Sequence, residues 1–242
     1  LTRSSTAIED AEKAAPQDTV GPDTDTSLGD VAYEELSRLI LTRKLPGGSL
    51  VVEGRLAQQL NISRTPMREA MLRLAAEGLL VKQGSRSYAV RQVQPVEFFQ
   101  ALKVRELLEG EAVTLAIGRI PKTVIDEMRE GIRELGTLGA QEAAHWEMDD
   151  RLHMLFPEAL GNGTLMKIIR QLRMTTRLFE LTSPSGRVQA DAAEHIAILD
   201  AVEKGDARQA RTAMVTHLRN VAAEILDIVT GRDVGPLKRE RR

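Results

Sequence analysis

The stretch Asn61-Ile62-Ser63-Arg64-Thr65-Pro66-Met67-Arg68-Glu69-Ala70-Met71-Leu72-Arg73-Leu74 sorts into two faces when wound as a helix at about 100° per residue. Met67, Ala70, Met71 and Leu74 gather on one side. Thr65 lies nearly opposite, Arg68 and Glu69 flank it, and Arg64 and Arg73 stand at the edges. Ser63 is placed as the N-cap, and Pro66 fits the first turn, where its missing N–H has no intrahelical acceptor. One face packs and the other is available to read a surface. Arginine in a first turn can meet guanine O6 and N7 with two donors, and threonine can bond a base or present its methyl. Arg64, Thr65 and Arg68 are therefore candidate base-reading residues, Arg68 foremost. Arg55, Ser63 and Arg73 suit phosphate anchoring, and Arg86 suits phosphate or minor-groove contact.

The neighbouring sequence gives this helix its setting. Asp30 can cap a helix from Val31 to about Lys44 that turns Leu36, Leu39 and Ile40 to one side and ends before Pro46-Gly47-Gly48. A short helix from Glu53 to Leu60 follows, and Asn61-Ile62-Ser63 turns into the quoted helix, which Gly78 closes. Leu79–Lys82 and Ser87–Arg91 read as two strands around a Gln83-Gly84-Ser85-Arg86 tip. Helix, helix-turn-helix and hairpin make a winged helix-turn-helix over residues 30–91. A few arginines on a short helix are more often mere solvated surface; their coincidence with a tight turn and a basic hairpin brings DNA binding level with that reading.

Charge localises in the same region. The 242-residue chain carries 33 Lys plus Arg against 35 Asp plus Glu, so any nucleic-acid contact must come from a local patch. Asp30 to Val90 holds nine basic and six acidic residues, a local +3, whereas residues 1–29 hold two basic and six acidic ones and read as a disordered leader. Cysteine is absent, which removes disulfides, thiolate nucleophiles and thiolate metal sites. Aromatics make up 3% of the chain, which disfavours a base-stacking platform. No run approaches the roughly 18 to 20 apolar residues that span a bilayer, so no membrane partner is expected and the reading is cytoplasmic.

Residues 95–230 carry helical apolar spacing in six segments: Val96–Gly118, Pro121–Leu138, Ala140–Leu160, Thr164–Leu181, Val188–Lys204 and Asp206–Thr230. The breaks between them are short and suit antiparallel neighbours, so the fold class is mainly α, a winged head followed by an all-helical antiparallel bundle. Residues 231–242 form a basic tail. Asp149 and His153 stand at i and i+4 on one helix face. His195 and His217 lie on the last two segments, about 15 Å on either side of the Gly205-Asp206 turn at 1.5 Å per residue, so an antiparallel hairpin brings them to one height. Three imidazoles and a carboxylate can then converge. That donor set suits a divalent metal, zinc first, with nickel, cobalt or manganese as alternatives, rather than magnesium or calcium. Singly, each histidine is more often an ordinary helix residue. His145, the fourth, is assigned a structural or solvent-facing role.

The sequence from Leu56-Ala57 through Asn61 to Ala70, then Leu74, Glu77-Gly78-Leu79 and Arg86, closely resembles the winged helix of the GntR family of bacterial regulators. The resemblance implies a homodimer bound to a palindromic double-stranded operator, with Arg64 and Arg68 at bases or adjacent phosphates. Arg86-Ser87 stands where the family wing commonly has Arg-Gly. From about Pro95 to Thr230, Arg105 with Glu109, Glu111-Ala112, Asp149-x-x-x-His153, Gly161-Asn162, His195, Leu199-Asp200-Ala201, Gly205-Asp206-Ala207 and His217 resemble the FCD ligand-binding domain of the FadR-like branch, in its six-helix VanR-like group. That resemblance implies that Asp149, His153, His195 and His217 bind metal and that Arg105 faces a small organic acid effector. Arg105 can also simply pair with Glu109 four residues on. Leu152, where an aromatic is frequent, and Pro157, where helix is expected, are departures that can reshape the pocket.

The function expected is a metabolite-responsive transcription regulator, most simply a repressor and not an enzyme. Two other readings are a metal-dependent hydrolase, since such a metal can activate water, and an architectural DNA-binding protein with a structural metal.

Overall fold

The structure is a computed structural model that describes residues 27–138, 143–180 and 187–232. Most of the leader, the breaks at Gly139 and Ser183–Gly186, and the tail beyond Arg232 lie outside these residues. The chain runs α1 (Leu28–Leu41), β1 (Leu50–Val52), α2 (Glu53–Gln59), α3 (Arg64–Ala76), β2 (Leu80–Lys82), β3 (Ser87–Val90), α4 (Pro95–Ala116), α5 (Lys122–Gly136), α6 (Ala143–Ala159), α7 (Gly163–Glu180), α8 (Val188–Glu203) and α9 (Ala207–Thr230).

The head packs α1 against α3, and Ala32, Leu36, Ile40, Met67, Ala70, Met71 and Leu74 form its core. The helix before the turn starts earlier than the sequence suggests: Ser27 is the N-cap of α1 and its hydroxyl accepts from the Asp30 N–H, so Asp30 is an acid in the first turn. Leu28 and Gly29 thus belong to α1 and not to a leader. Asn61, at φ 53°, makes the turn between α2 and α3, a left-handed conformation that Asn tolerates. Ser63 does occupy the N-cap of α3, but its side chain makes no capping bond.

The wing has a third strand absent from the sequence reading. β3 lies between β1 and β2, antiparallel to both, with Val51 opposite Tyr88 and Val81 opposite Ala89. The tip is tied to α2, since the Glu53 N–H donates to the Arg86 carbonyl at 3.3 Å.

The six remaining helices form the bundle, with α4 packed by α6, α7 and α9, and α8 by α5 and α9. α6 continues through Pro157, which is buried in its last turn. Asn162 caps α7, its side-chain oxygen accepting from the Leu165 N–H at 3.1 Å. Gly205, at φ 71°, makes the α8–α9 reversal that sets the registers of His195 and His217. Among the described residues no helix is long and apolar enough to cross a membrane.

Candidate functional site

Two regions carry chemistry. On the head, Arg64, Thr65 and Arg68 are exposed along the first turns of α3, and Arg55 and Arg86 are exposed on α2 and the wing tip. The Arg64 guanidinium leans back over Gly54 of α2, about where a Cβ there would come within 3.5 Å of it. None of Arg55, Arg64, Arg68 and Arg86 forms an ion pair among the described residues. Arg73 differs: its guanidinium reaches Asp30 at 3.2 Å and Glu77 at 3.4 Å and lies 3.6 Å from the centre of the Tyr33 ring. It ties α3 to α1, so a phosphate must compete with these partners for it.

At the centre of the bundle, α6 supplies Asp149 and His153, α8 supplies His195 and α9 supplies His217. One ligand atom from each lies within 4.8 Å of all the others, and the three histidines are buried. His195 Nε2 is 3.3 Å from His217 Nε2 and 3.4 Å from Asp149 Oδ1, and His153 Nε2 is 3.5 Å from the same carboxylate oxygen. A tetrahedral ion with bonds of about 2.0–2.1 Å separates its ligand atoms by about 3.4 Å. The spacing therefore fits a metal centre.

The hydrogen bonding supports the same fit. Glu109, on α4, holds His153 Nδ1, and Glu194 Oε2 holds His217 Nδ1 at 2.8 Å. A carboxylate on Nδ1 keeps the proton there and turns an Nε2 lone pair toward the cluster, the arrangement that metal-ligating histidines use. His153 Nε2 is buried without a hydrogen-bond partner, a costly orphan unless a cation meets it. Burial, then the neighbouring His217, pushes His195 well below the usual histidine range and leaves it neutral, as a ligand must be. Burial alone would raise Asp149, but Arg173 and His153 outweigh it and hold the carboxyl well below its ordinary range.

Arg105 is buried beside the cluster, its Nε donating to Glu109 at 2.6 Å and its Nη1 to the Thr176 hydroxyl at 2.9 Å. Both alternatives for it are thus compatible: it pairs with Glu109, and it lines the cavity that also contains Asp149, His195, His217 and Trp146. His145 has a structural contact, with Nε2 2.9 Å from the Leu135 carbonyl oxygen.

The sequence reading missed the residues behind the ligands. Arg173 Nη2 donates to Asp149 Oδ2 and to Asp150 Oδ1, each at 2.6 Å. Arg187 brackets Asp191, Glu194 and Glu224 at 2.7–3.1 Å. A basic residue near a helix start or on a polar stripe gives no local sign of such distant pairing.

Comparison with known proteins matches the family model for bacterial regulatory proteins of the gntR family over residues 28–90 and the FCD domain model over residues 100–220. The chain belongs to the GntR family. It is 30% identical over 199 residues to an "Uncharacterized HTH-type transcriptional regulator in unstable DNA locus" from Streptomyces ambofaciens, covering 80% of this chain and 83% of that one. It is 27% identical over 223 residues to the Uxu operon regulator of Haemophilus influenzae, covering 85% and 83%. The structure of E. coli McbR/YncC superposes with a TM-score of 0.68 at 21% identity, over 86% of this chain and 99% of that one, and shares the fold. Membership in the GntR family makes the chain a DNA-binding transcription regulator with an FCD-type ligand-binding domain, and this classification stands against the hydrolase reading.

Proposed function

We propose that this GntR-family regulator works in the bacterial cytoplasm as a homodimer, binds a palindromic operator through its winged heads, and senses a small organic carboxylate at a divalent metal held in the bundle. The observation that carries the sensing half is the convergence of Asp149, His153, His195 and His217 at ligand spacing. Three nitrogens and one oxygen favour zinc, with nickel, cobalt or manganese next. When bound, the ion would supply a Lewis-acid centre that takes a carboxylate as a ligand beyond the four side chains.

The chain's own groups do the rest. Glu109 and Glu194 hold the His153 and His217 rings in the ligating tautomer, and Arg173 fixes Asp149 so that Oδ1 faces the cluster while Oδ2 is tied back. Arg105 adds a charge-assisted contact to the same acid. On DNA, Arg64, Thr65 and Arg68 read base edges, Arg68 foremost. Arg55, Ser63 and Arg73 anchor phosphates, Arg73 more weakly for its internal partners, and Arg86 meets the backbone or minor groove from the wing.

Dimerisation finds support on α4, where Val104, Leu107 and Leu115 are exposed on one helical face. Coupling finds support at Arg91, just after β3. Its guanidinium donates to Thr175 of α7 at 3.1 Å, pairs with Glu97 of α4, and lies against Gly78 at the end of α3. The same turn of α7 supplies Arg173 to Asp149 and Thr176 to Arg105. A change at the sensing site therefore has a short path to the reading helix, and effector binding shifts the heads toward an arrangement with lower operator affinity, relieving repression.

The test is operator binding by fluorescence anisotropy, on DNA selected by the full-length protein from a random duplex library, across zinc, chelator and a panel of organic acids. A fall in affinity of roughly 5- to 150-fold on adding zinc and an acid is expected. Identical affinity in every condition would remove the sensing half and leave the DNA-binding half standing.

A further inference from the structure

We propose that the sensing cavity contains a second anion site, built by Arg173 and Arg177, and that the effector is accordingly a short-chain dicarboxylate. The inference rests on the metal-centred reading above and deepens it. Its starting observation is separate: Arg173 Nη1 and Arg177 Nε are buried and have no hydrogen-bond partner. A buried guanidinium N–H without an acceptor loses its hydration and gains nothing in return, so a native structure gives it a ligand or water.

The two arginines stand one turn apart on α7 and both line the cavity of Asp149, His195, His217 and Arg105. Arg173 is only 5% exposed. Neither guanidinium is loose. Arg173 donates through Nε and Nη2 to Asp150 and Asp149, and Arg177 donates through Nη1 to Asp150 at 2.8 Å. The orphan N–H groups are thus held by the bonds of their own guanidiniums, which makes them a preorganised receptor for an oxygen anion. Trp146, whose ring centre lies 5.5 Å from the Arg177 Cζ, backs the site.

Unused donors and distance specify the ligand. Arg105 is paired with Glu109, and Arg187 with Asp191, Glu194 and Glu224, so the buried guanidinium donors left over for an anion among the described residues are Arg173 Nη1 and Arg177 Nε. The guanidinium that offers Nη1 also grips Asp149, itself a member of the metal cluster, through Nη2. The two anion positions are therefore close neighbours. A short diacid can place one carboxylate at the metal and Arg105 and the other at Arg173 and Arg177. Arg173 and Arg177 also line the cleft between head and bundle, so the second carboxylate would sit in the wall that faces the DNA-binding domain.

The experiment is calorimetric titration of the full-length, zinc-loaded protein with succinate and malate, against butyrate and 3-hydroxybutyrate, in which a methyl replaces one carboxylate. The diacids are expected to bind at least about tenfold more tightly. Arg177→Gln should erase most of that preference while zinc content and monoacid affinity hold. Equal affinity of succinate and butyrate in the parent protein, or a preference that survives in Arg177→Gln, would overturn the second anion site and leave metal-centred sensing intact. No heat with any acid, despite stoichiometric zinc, would overturn the carboxylate reading and this inference with it. The parent comparison decides even if the variant fails to fold.

Discussion

Head and bundle use arginine in opposite ways. Arg55, Arg64, Arg68 and Arg86 on the head are exposed and form no ion pair among the described residues, whereas Arg105, Arg173 and Arg187 in the bundle are each locked to carboxylates at 2.6–3.1 Å. An unpaired surface arginine keeps its charge available for a polyanion that arrives from outside and displaces counterions. A buried arginine must be paired or its desolvation destabilises the fold, so it acts by orienting neighbours and by whatever donors remain unused. The difference separates a surface open to an incoming polyanion from an interior whose cations are committed to neighbouring carboxylates.

Several changes should sharpen or break that contrast. The largest effect is expected from His195→Ala: metal per chain, measured by elemental mass spectrometry after purification without chelator, should fall from stoichiometric to near zero, while operator binding of the metal-free state is retained. Parent-like stoichiometry would count directly against ligation. Glu194→Gln removes the carboxylate behind His217, which also accepts from Asn220 and Arg187; burial alone would raise that carboxyl, but His217, Asn220 and Arg187 outweigh it and draw it down to about 2. Zinc affinity should drop about 10- to 100-fold. No change would mean that the ring needs no outer support.

Arg68→Ala should weaken specific operator binding by about 1–3 kcal/mol and relax preference at one base pair, with zinc content unaltered. Equal affinity in parent and variant would remove its reading role. Leu107→Glu, on the exposed face of α4, should shift the protein toward monomer in light scattering, and an unchanged dimer would place the interface elsewhere. The smallest effect is expected at Arg55→Ala, a uniform loss across sequences with the salt slope of binding reduced by about 1. A sequence-dependent loss would reassign Arg55 to base contact.

The same contrast explains what the sequence disclosed. The head is legible because its parts are local: Met67, Ala70, Met71 and Leu74 mark a helical face within eight positions, and the turn residues flank it. Even there β1 escaped notice, because Leu50–Val52 is three residues long and only Val51 is buried, too little to show alternation. In the bundle, Asp149 and His153 are separated by one helical turn, and His195 and His217 are symmetric about Gly205-Asp206, so four ligands could be paired from spacing alone. Their supports could not. Glu109 meets His153 from 44 positions away and Arg173 meets Asp149 from 24, contacts that only the packing of α4 and α7 on α6 creates.

Anomalous diffraction from crystals of protein purified without chelator tests the central claim most directly. The account predicts a metal peak bounded by Asp149 Oδ1 and the Nε2 atoms of His153, His195 and His217. Ordered imidazoles that point into separate regions, with no peak between them, would contradict it.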